Sequence, residues 1–188
     1  GEFIRTKVVP ELDAFRFAKY ASTTGISKVA AGAALADGAA VIAALRKGIT
    51  GMDESEVPVD DRHLFITPTL YGMIQDMDTT KSREVLARFA SVTQVPQTRF
   101  YTAITQYDGT TASQTAGGYV KDGTSGKDIN FLIVHKPAVI QYEKHVAPKI
   151  IEPAQNQNAD AYKFGYRNVG IADVYDNKVA GIYLHHKA

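Results

Sequence analysis

Apolar residues recur at helical spacing through the first half of the chain, and from Ser91 onward they gather in short β-favouring runs. Helices early and strands late point to an α+β fold rather than to alternating α/β units. Pro10, Glu11 and Asp13 make an acidic first turn that suits a helix N-terminus. Leu12, Phe15, Phe17, Ala18 and Ala21 follow, with Arg16 and Lys19 between them, and predict a helix to about Ser22 that is buried on more than one side. Thr23-Thr24-Gly25 ends it. Leu35, Ile42, Leu45 and Ile49, with Ala39 in the stripe, predict a second helix from about Ala31 to Lys47. Arg46, Lys47 and Gly48 supply its stop, and Gly51 to Pro58 reads as a polar connection.

His63 to Ile66 reads as a short buried strand, and Thr67-Pro68 starts a helix carrying Leu70, Tyr71, Ile74 and Met77. Ser82 to Phe89 fits a further short helix. Val92, Val95, Phe100, Tyr101 and Ile104 lie in β-favouring runs broken by Pro96. Asp108 to Asp128, rich in Gly, Thr and Ser, predicts an exposed loop or long hairpin connection. Asn130 to Val134 is a strand by its apolar run, while Val139 to His145 fits helix or strand equally. Ile150 to Pro153 reads as extended. Tyr162 to His185, with a turn at Tyr175 to Lys178, predicts a C-terminal hairpin.

An apolar share of 45% over 188 residues is enough to bury one core. Lys and Arg total 21 against 20 for Asp and Glu, so no basic excess marks a protein that grips DNA through its phosphates. The absence of cysteine excludes disulfides, thiolate zinc sites and cysteine nucleophiles. It fits folding in a reducing cytoplasm. No segment approaches the roughly 20 consecutive apolar residues of a membrane span, and no charged segment with an apolar run opens the chain as a secretion signal. Gly1-Glu2-Phe3 is read as a cloning scar, because an in-frame EcoRI site encodes Glu-Phe.

The chemistry-bearing residues do not assemble into a motif. His185 and His186 are adjacent, so a strand turns them to opposite faces and neither helps the other hold a metal. Glu143 and His145 share a strand face as a possible acid-base pair, and the plainer reading is a solvated face. Asp60, Asp61, Asp76 and Asp78 read as turn and helix-end carboxylates. Gly123 to Asp128 resembles the end of a phosphate-binding loop, but the four-residue spacing and the Ser or Thr after Lys127 are both missing. No G-x-S-x-G elbow presents a serine, and the glycines of Gly32 to Gly38 lack the dinucleotide fingerprint. Catalytic, cofactor-binding and metal residues are therefore all expected to be none, and the chain is expected not to be an enzyme.

Four segments carry a resemblance to a known family. They are Val8 to Lys19, Asp61 to Tyr71, Val95-Pro96-Gln97-Thr98-Arg99-Phe100, and a closing block. That block joins Asn158-Ala159-Asp160-Ala161-Tyr162-Lys163-Phe164-Gly165-Tyr166-Arg167 to Asp173-Val174-Tyr175-Asp176-Asn177-Lys178 and Gly181-Ile182-Tyr183. In order and spacing they resemble the major capsid proteins of tailed bacteriophages, prophages included, over Ile4 to Ala188. The resemblance implies the capsid shell fold, with residues 1–25 ending a spine helix in a peripheral domain. Residues 26–169 would form an axial domain, and residues 170–188 strands returning to the peripheral domain. Val95 to Phe100 would be a strand, Asp108 to Asp128 an axial-tip or surface loop, and Arg16 and Lys19 inter-subunit or spine-face charges, with solvated side chains the plainer reading. Pro10, inside the spine helix, would kink it. The family's N-terminal arm and extended loop find no counterpart here, which implies a folded fragment that assembles weakly.

The implied function is a structural subunit of an icosahedral head that self-assembles into pentameric and hexameric rings and a shell around double-stranded DNA. Implied partners are copies of itself and scaffold, portal or decoration proteins, with packaged DNA only a weak, non-specific neighbour. The implied location is the virion, after synthesis in the bacterial cytoplasm. An encapsulin-type compartment shell shares that architecture. From other classes, a hydrolase would gather Asp60, His63 or His145 in one pocket, and a decoration module would be small and complete.

Overall fold

The computed structural model describes residues 1–29 and 31–188. The chain is helical from Glu2 to Ser22, with a π turn at Ile4–Val8 followed by α1 (Val9–Ser22). Pro10 has no N–H to give to Thr6, and the chain widens just before it: Val9 N–H bonds to the Ile4 carbonyl, five residues back. The helix thus absorbs the proline by a change of register and continues through it, so it begins earlier than the acidic turn predicted.

β1 (Ser27–Lys28) leads to α2 (Gly38–Glu54), then β2 (Arg62–Ile66), α3 (Pro68–Met77), α4 (Thr80–Leu86) and β3 (Ser91–Gln94). β4 (Ile104–Gln106) and β5 (Tyr119–Lys121) form a small antiparallel hairpin, so the Asp108 to Asp128 segment contains a strand. β6 (Ile129–His135), β7 (Val139–Ile151), β8 (Lys163–Val174) and β9 (Ile182–His186) complete the chain.

The central sheet has the order β1-β9-β6-β2-β3, with β6 antiparallel to both neighbours and the edge strands parallel to theirs. All seven residues of β6 are buried, as its continuous apolar run requires of a strand covered on both faces. On one face, Leu64, Ile66, Phe131, Ile133 and Tyr183 pack against Val41, Leu45, Ile49 and Met52 of α2, with Ile74 and Val85 from α3 and α4. On the other, Leu132, Val134, Ile182 and Leu184 meet Tyr20, Ala21, Phe100 and Val174. Gly48 marks the closest approach of α2 to the sheet: a Cβ there would lie 2.8 Å from the Tyr183 ring and 2.9 Å from Ile133.

Three expectations need correction. The second helix starts at Gly38 and runs to Glu54, because the Asp37 carboxylate caps it by accepting from Ala40 N–H at 2.8 Å. Val95 to Phe100 contains a 3₁₀ turn at Gln97–Arg99 in place of a strand. The C-terminal segment does not fold back on itself: β8 pairs with β7, while β9 enters the central sheet.

His185 adds a pH-sensitive element to the core. It is 3% exposed, its ring stacks on Phe131 at 5.0 Å, and Asn130 Nδ2 donates to its Nδ1 at 3.0 Å. The same amide donates to the Ala33 carbonyl, so the acceptor nitrogen must stay unprotonated. Burial first, then the charges of His186 and Lys47, hold its pKa down to about 4. A depressed histidine costs nothing above its unfolded pKa of about 6.5. Stability should fall between that pH and 4, then level off at a loss of about 3 kcal/mol from this group. Urea unfolding across that range should show the decline, and His185→Gln should flatten it; an unchanged decline would remove His185 as its source.

Candidate assembly surface

The segment Val139 to Val174 supplies β-branched and aromatic residues, with Pro153 breaking the run and Asn156 and Asn158 in the connection beyond it. It folds into an antiparallel ribbon, β7 against β8, whose ladder runs from Val139↔Val174 to Ile151↔Lys163. Thirteen residues of β7 make it about 40 Å long. Its base is held by the core: Ala172 and Val174 are buried, and Tyr175 N–H bonds to the Ala138 carbonyl at 3.0 Å. Two ion pairs brace it against α1, Arg16 to Glu143 at 2.7 Å and Lys19 to Asp173 at 3.4 Å. Those two cations, expected at subunit contacts or on the spine face, are used within the chain.

Beyond the base the ribbon carries apolar side chains into solvent. Phe164 is 74% exposed, Tyr142 63% and Ile150 62%, with Ile171, Val169 and Val146 close behind. Opposed residues share a face and faces alternate along each strand, so Tyr142, Val169 and Ile171 lie on one side. Val146, Ile150, Phe164 and Tyr166 lie on the other, where the Tyr162 and Phe164 rings stack at 6.4 Å. Between that second side and α1 runs a groove of about 350 Å³ lined by Leu12, Phe15, Arg16, Tyr166, Asn168 and Ala172. A two-stranded ribbon is marginal alone in water, and a contiguous exposed apolar surface of this kind marks a contact surface. Sequence reasoning left Val139 to His145 open between helix and strand, and the length of the segment between turn signals was the clue to a ribbon.

The residues considered for chemistry are dispersed. His145 lies on the ribbon just past a bulge at Lys144, which interrupts the alternation a Glu143–His145 pairing needs. His63 Nδ1 lies 2.7 Å from Ser91 Oγ, but its other ring nitrogen is buried and, among the described residues, has no partner to orient it for base catalysis. Asp60 and Asp61 border a cavity that holds His135, and neither His63 nor His145 lines it. Asp76 lies in the last turn of α3, and Asp78 caps that helix and pairs with Arg83 at 3.5 Å. Among the described residues there is no group of three or more His, Cys, Asp or Glu able to hold a metal ion. The glycine-rich turn closes on its own carboxylate: Asp122 accepts from the N–H groups of Ser125 and Thr124, which lower its pKa to about 2. Those N–H groups are then not free for a phosphate. Among the described residues, no helix is long and apolar enough to cross a membrane.

No protein-family model matches the chain, and no curated protein matches it. Two solved structures resemble it over 95% of its length. One is from Mycobacterium phage Che8, with a TM-score of 0.56 at 10% identity. The other is a capsid structure of the cyanophage P-SCSP1u, with a TM-score of 0.55 at 16% identity. The chain spans 58% and 61% of those two chains. The fold of the chain is therefore the α+β shell fold of phage capsid structures.

Proposed function

We propose that this chain is a structural subunit of a phage head, one that self-assembles through its ribbon and catalyses nothing. The observation that carries the reading is the ribbon itself: a rigidly based, 40-Å projection with exposed apolar side chains on both faces, on a capsid-type fold. Many such modest contacts, repeated by symmetry, stabilise a shell without any one strong site. In this reading the subunits form five- and six-membered rings in a virion shell around double-stranded DNA, with scaffold, portal or decoration proteins as further partners. We assign α1 and the ribbon to a peripheral unit, and the five-stranded sheet with α2, α3 and α4 to an axial unit. The phage origin of both structural neighbours favours a virus head over an encapsulin-type compartment.

Sedimentation of the chain at concentrations up to about a millimolar tests this, since weak contacts correspond to dissociation constants in that range. Association should rise with concentration. The double variant Ile150→Asp, Phe164→Asp should weaken it at least tenfold while leaving the melting temperature unchanged, because both side chains are in solvent in the monomer. A chain that stays monomeric throughout would sink the reading.

A further inference from the structure

The ribbon's charges are sorted as its apolar residues are. The ladder sets Lys149 opposite Gly165, Arg167 opposite Ala147 and Lys163 opposite Ile151, and strand alternation puts all three cations on one face. The bulge at Lys144 brings this about: it resets the alternation of β7, so that Lys149 shares a face with Tyr142 despite their odd spacing. His145, opposite Val169, lies on that face too. The acids of β7 and β8, Glu143 and Asp173, are already held by Arg16 and Lys19, and Glu152 and Asp160 lie in the connection beyond the ladder. Lys149, Lys163 and Arg167 are exposed, and among the described residues they take part in no ion pair within 4 Å.

The counterpart lies on the same molecule. At the end of α2 and in the loop from it to β2, Glu54, Glu56, Asp60 and Asp61 are all exposed, and none of them pairs with a cation among the described residues. This loop is held in shape from beneath. Arg62, 1% exposed, donates to the Pro58 carbonyl at 2.8 Å, to the Val57 carbonyl, and to Asp53 Oδ1 at 2.7 Å. The cation nearest in sequence is thus consumed below the loop, and its acids face outward in a fixed frame.

We infer that the basic face of the ribbon docks on the acidic α2–β2 loop of a second copy of this chain. The inference rests on the self-assembly reading and specifies its geometry: two different surfaces meet, so the contact is head-to-tail and repeats around a ring. Charge complementarity selects the occupant. Three unpaired cations and a histidine face four unpaired acids, and the apolar Tyr142, Val169 and Ile171 beside the cations offer the desolvated centre that a protein contact uses. The chain's net charge of +1 gives nucleic acid no comparable pull.

The test uses two charge-reversed chains, Lys149→Glu with Lys163→Glu and Arg167→Glu, and Glu54→Lys with Glu56→Lys and Asp60→Lys. Wild-type association, followed by sedimentation, should weaken at least tenfold between 50 and 500 mM salt, as contacts between exposed charges do. Each variant alone should associate at least tenfold more weakly than wild type, since its two surfaces now repel. Mixed in equal amounts they should recover association, because the reversed ribbon of one matches the reversed loop of the other. Recovery also shows that both variants are folded. If wild type associates and both variants match it alone, or if the mixture stays dissociated, the inference fails while self-assembly stands. If the reversed ribbon loses only binding to double-stranded DNA and keeps wild-type association, the face serves phosphates and the inference fails. A wild type that never associates overturns both.

Discussion

Phe131→Ala should lower the free energy of unfolding by about 3–5 kcal/mol, the usual cost of emptying a fully buried aromatic site. Phe131 is fully buried in the central strand, and β6 has packed layers on both sides and hydrogen-bonded strands on both edges. Its ring lies between Tyr183 at 6.2 Å and His185 at 5.0 Å, so truncation leaves a hole that neither fixed neighbour can fill. A domain of this kind has only about 5–15 kcal/mol in total, so the variant should unfold at markedly lower urea. A second readout separates lost packing from general loosening. With the ring gone, water reaches His185, its depressed pKa moves back toward about 6.5, and the acid loss of stability should shrink. A cost below about 1 kcal/mol in urea titrations would mean that the sheet can collapse around the gap.

The sequence made the central sheet legible where local chemistry and final environment agree. His63 to Ile66 and Asn130 to Val134 are short apolar runs, and both became strands: β6 is buried throughout, while β2 alternates buried Leu64 and Ile66 with half-buried His63 and Phe65. Thr67-Pro68 starts α3 as the motif suggests. It misled where tertiary contacts outweigh propensity. The alanines before Gly38 favour helix, yet Ala33 N–H bonds to the His186 carbonyl, and the Ala33 carbonyl accepts from Asn130. Those two bonds hold the segment against the end of β9, and the helix waits for Asp37. The C-terminal pairing was hidden for another reason. Period-two patterning shows that β8 and β9 are strands, but it does not say that β8 pairs backward with β7 while β9 crosses to β6. The ribbon face was the least visible feature, because patterning assigns apolar residues to the interior and Tyr142, Ile150 and Phe164 are outside.

Arg62→Met should cost about 2–4 kcal/mol, and it should do so in a different way from the core variant. Methionine fills much of the same volume, so the loss comes from polar groups rather than from a cavity. The Val57 and Pro58 carbonyls lose their guanidinium donor, and Asp53 keeps only Arg88, at 3.0 Å. Burial acts against the Asp53 carboxylate, but hydrogen bonds and charge from Arg62 and then Arg88 outweigh it and hold its pKa below the ordinary value. A depressed carboxylate stabilises above its unfolded pKa and loses that contribution as pH falls through the folded one. The variant should therefore show a smaller loss of stability below about pH 4 than wild type. The effect on assembly distinguishes the two substitutions. Folded Phe131→Ala should associate as wild type does, because the ribbon and the acidic loop are untouched. Arg62→Met frees the frame under Glu54, Glu56 and Asp60, so its folded molecules should associate more weakly even where unfolding is negligible. Equal association of the two folded variants would mean that the loop keeps its shape without the guanidinium.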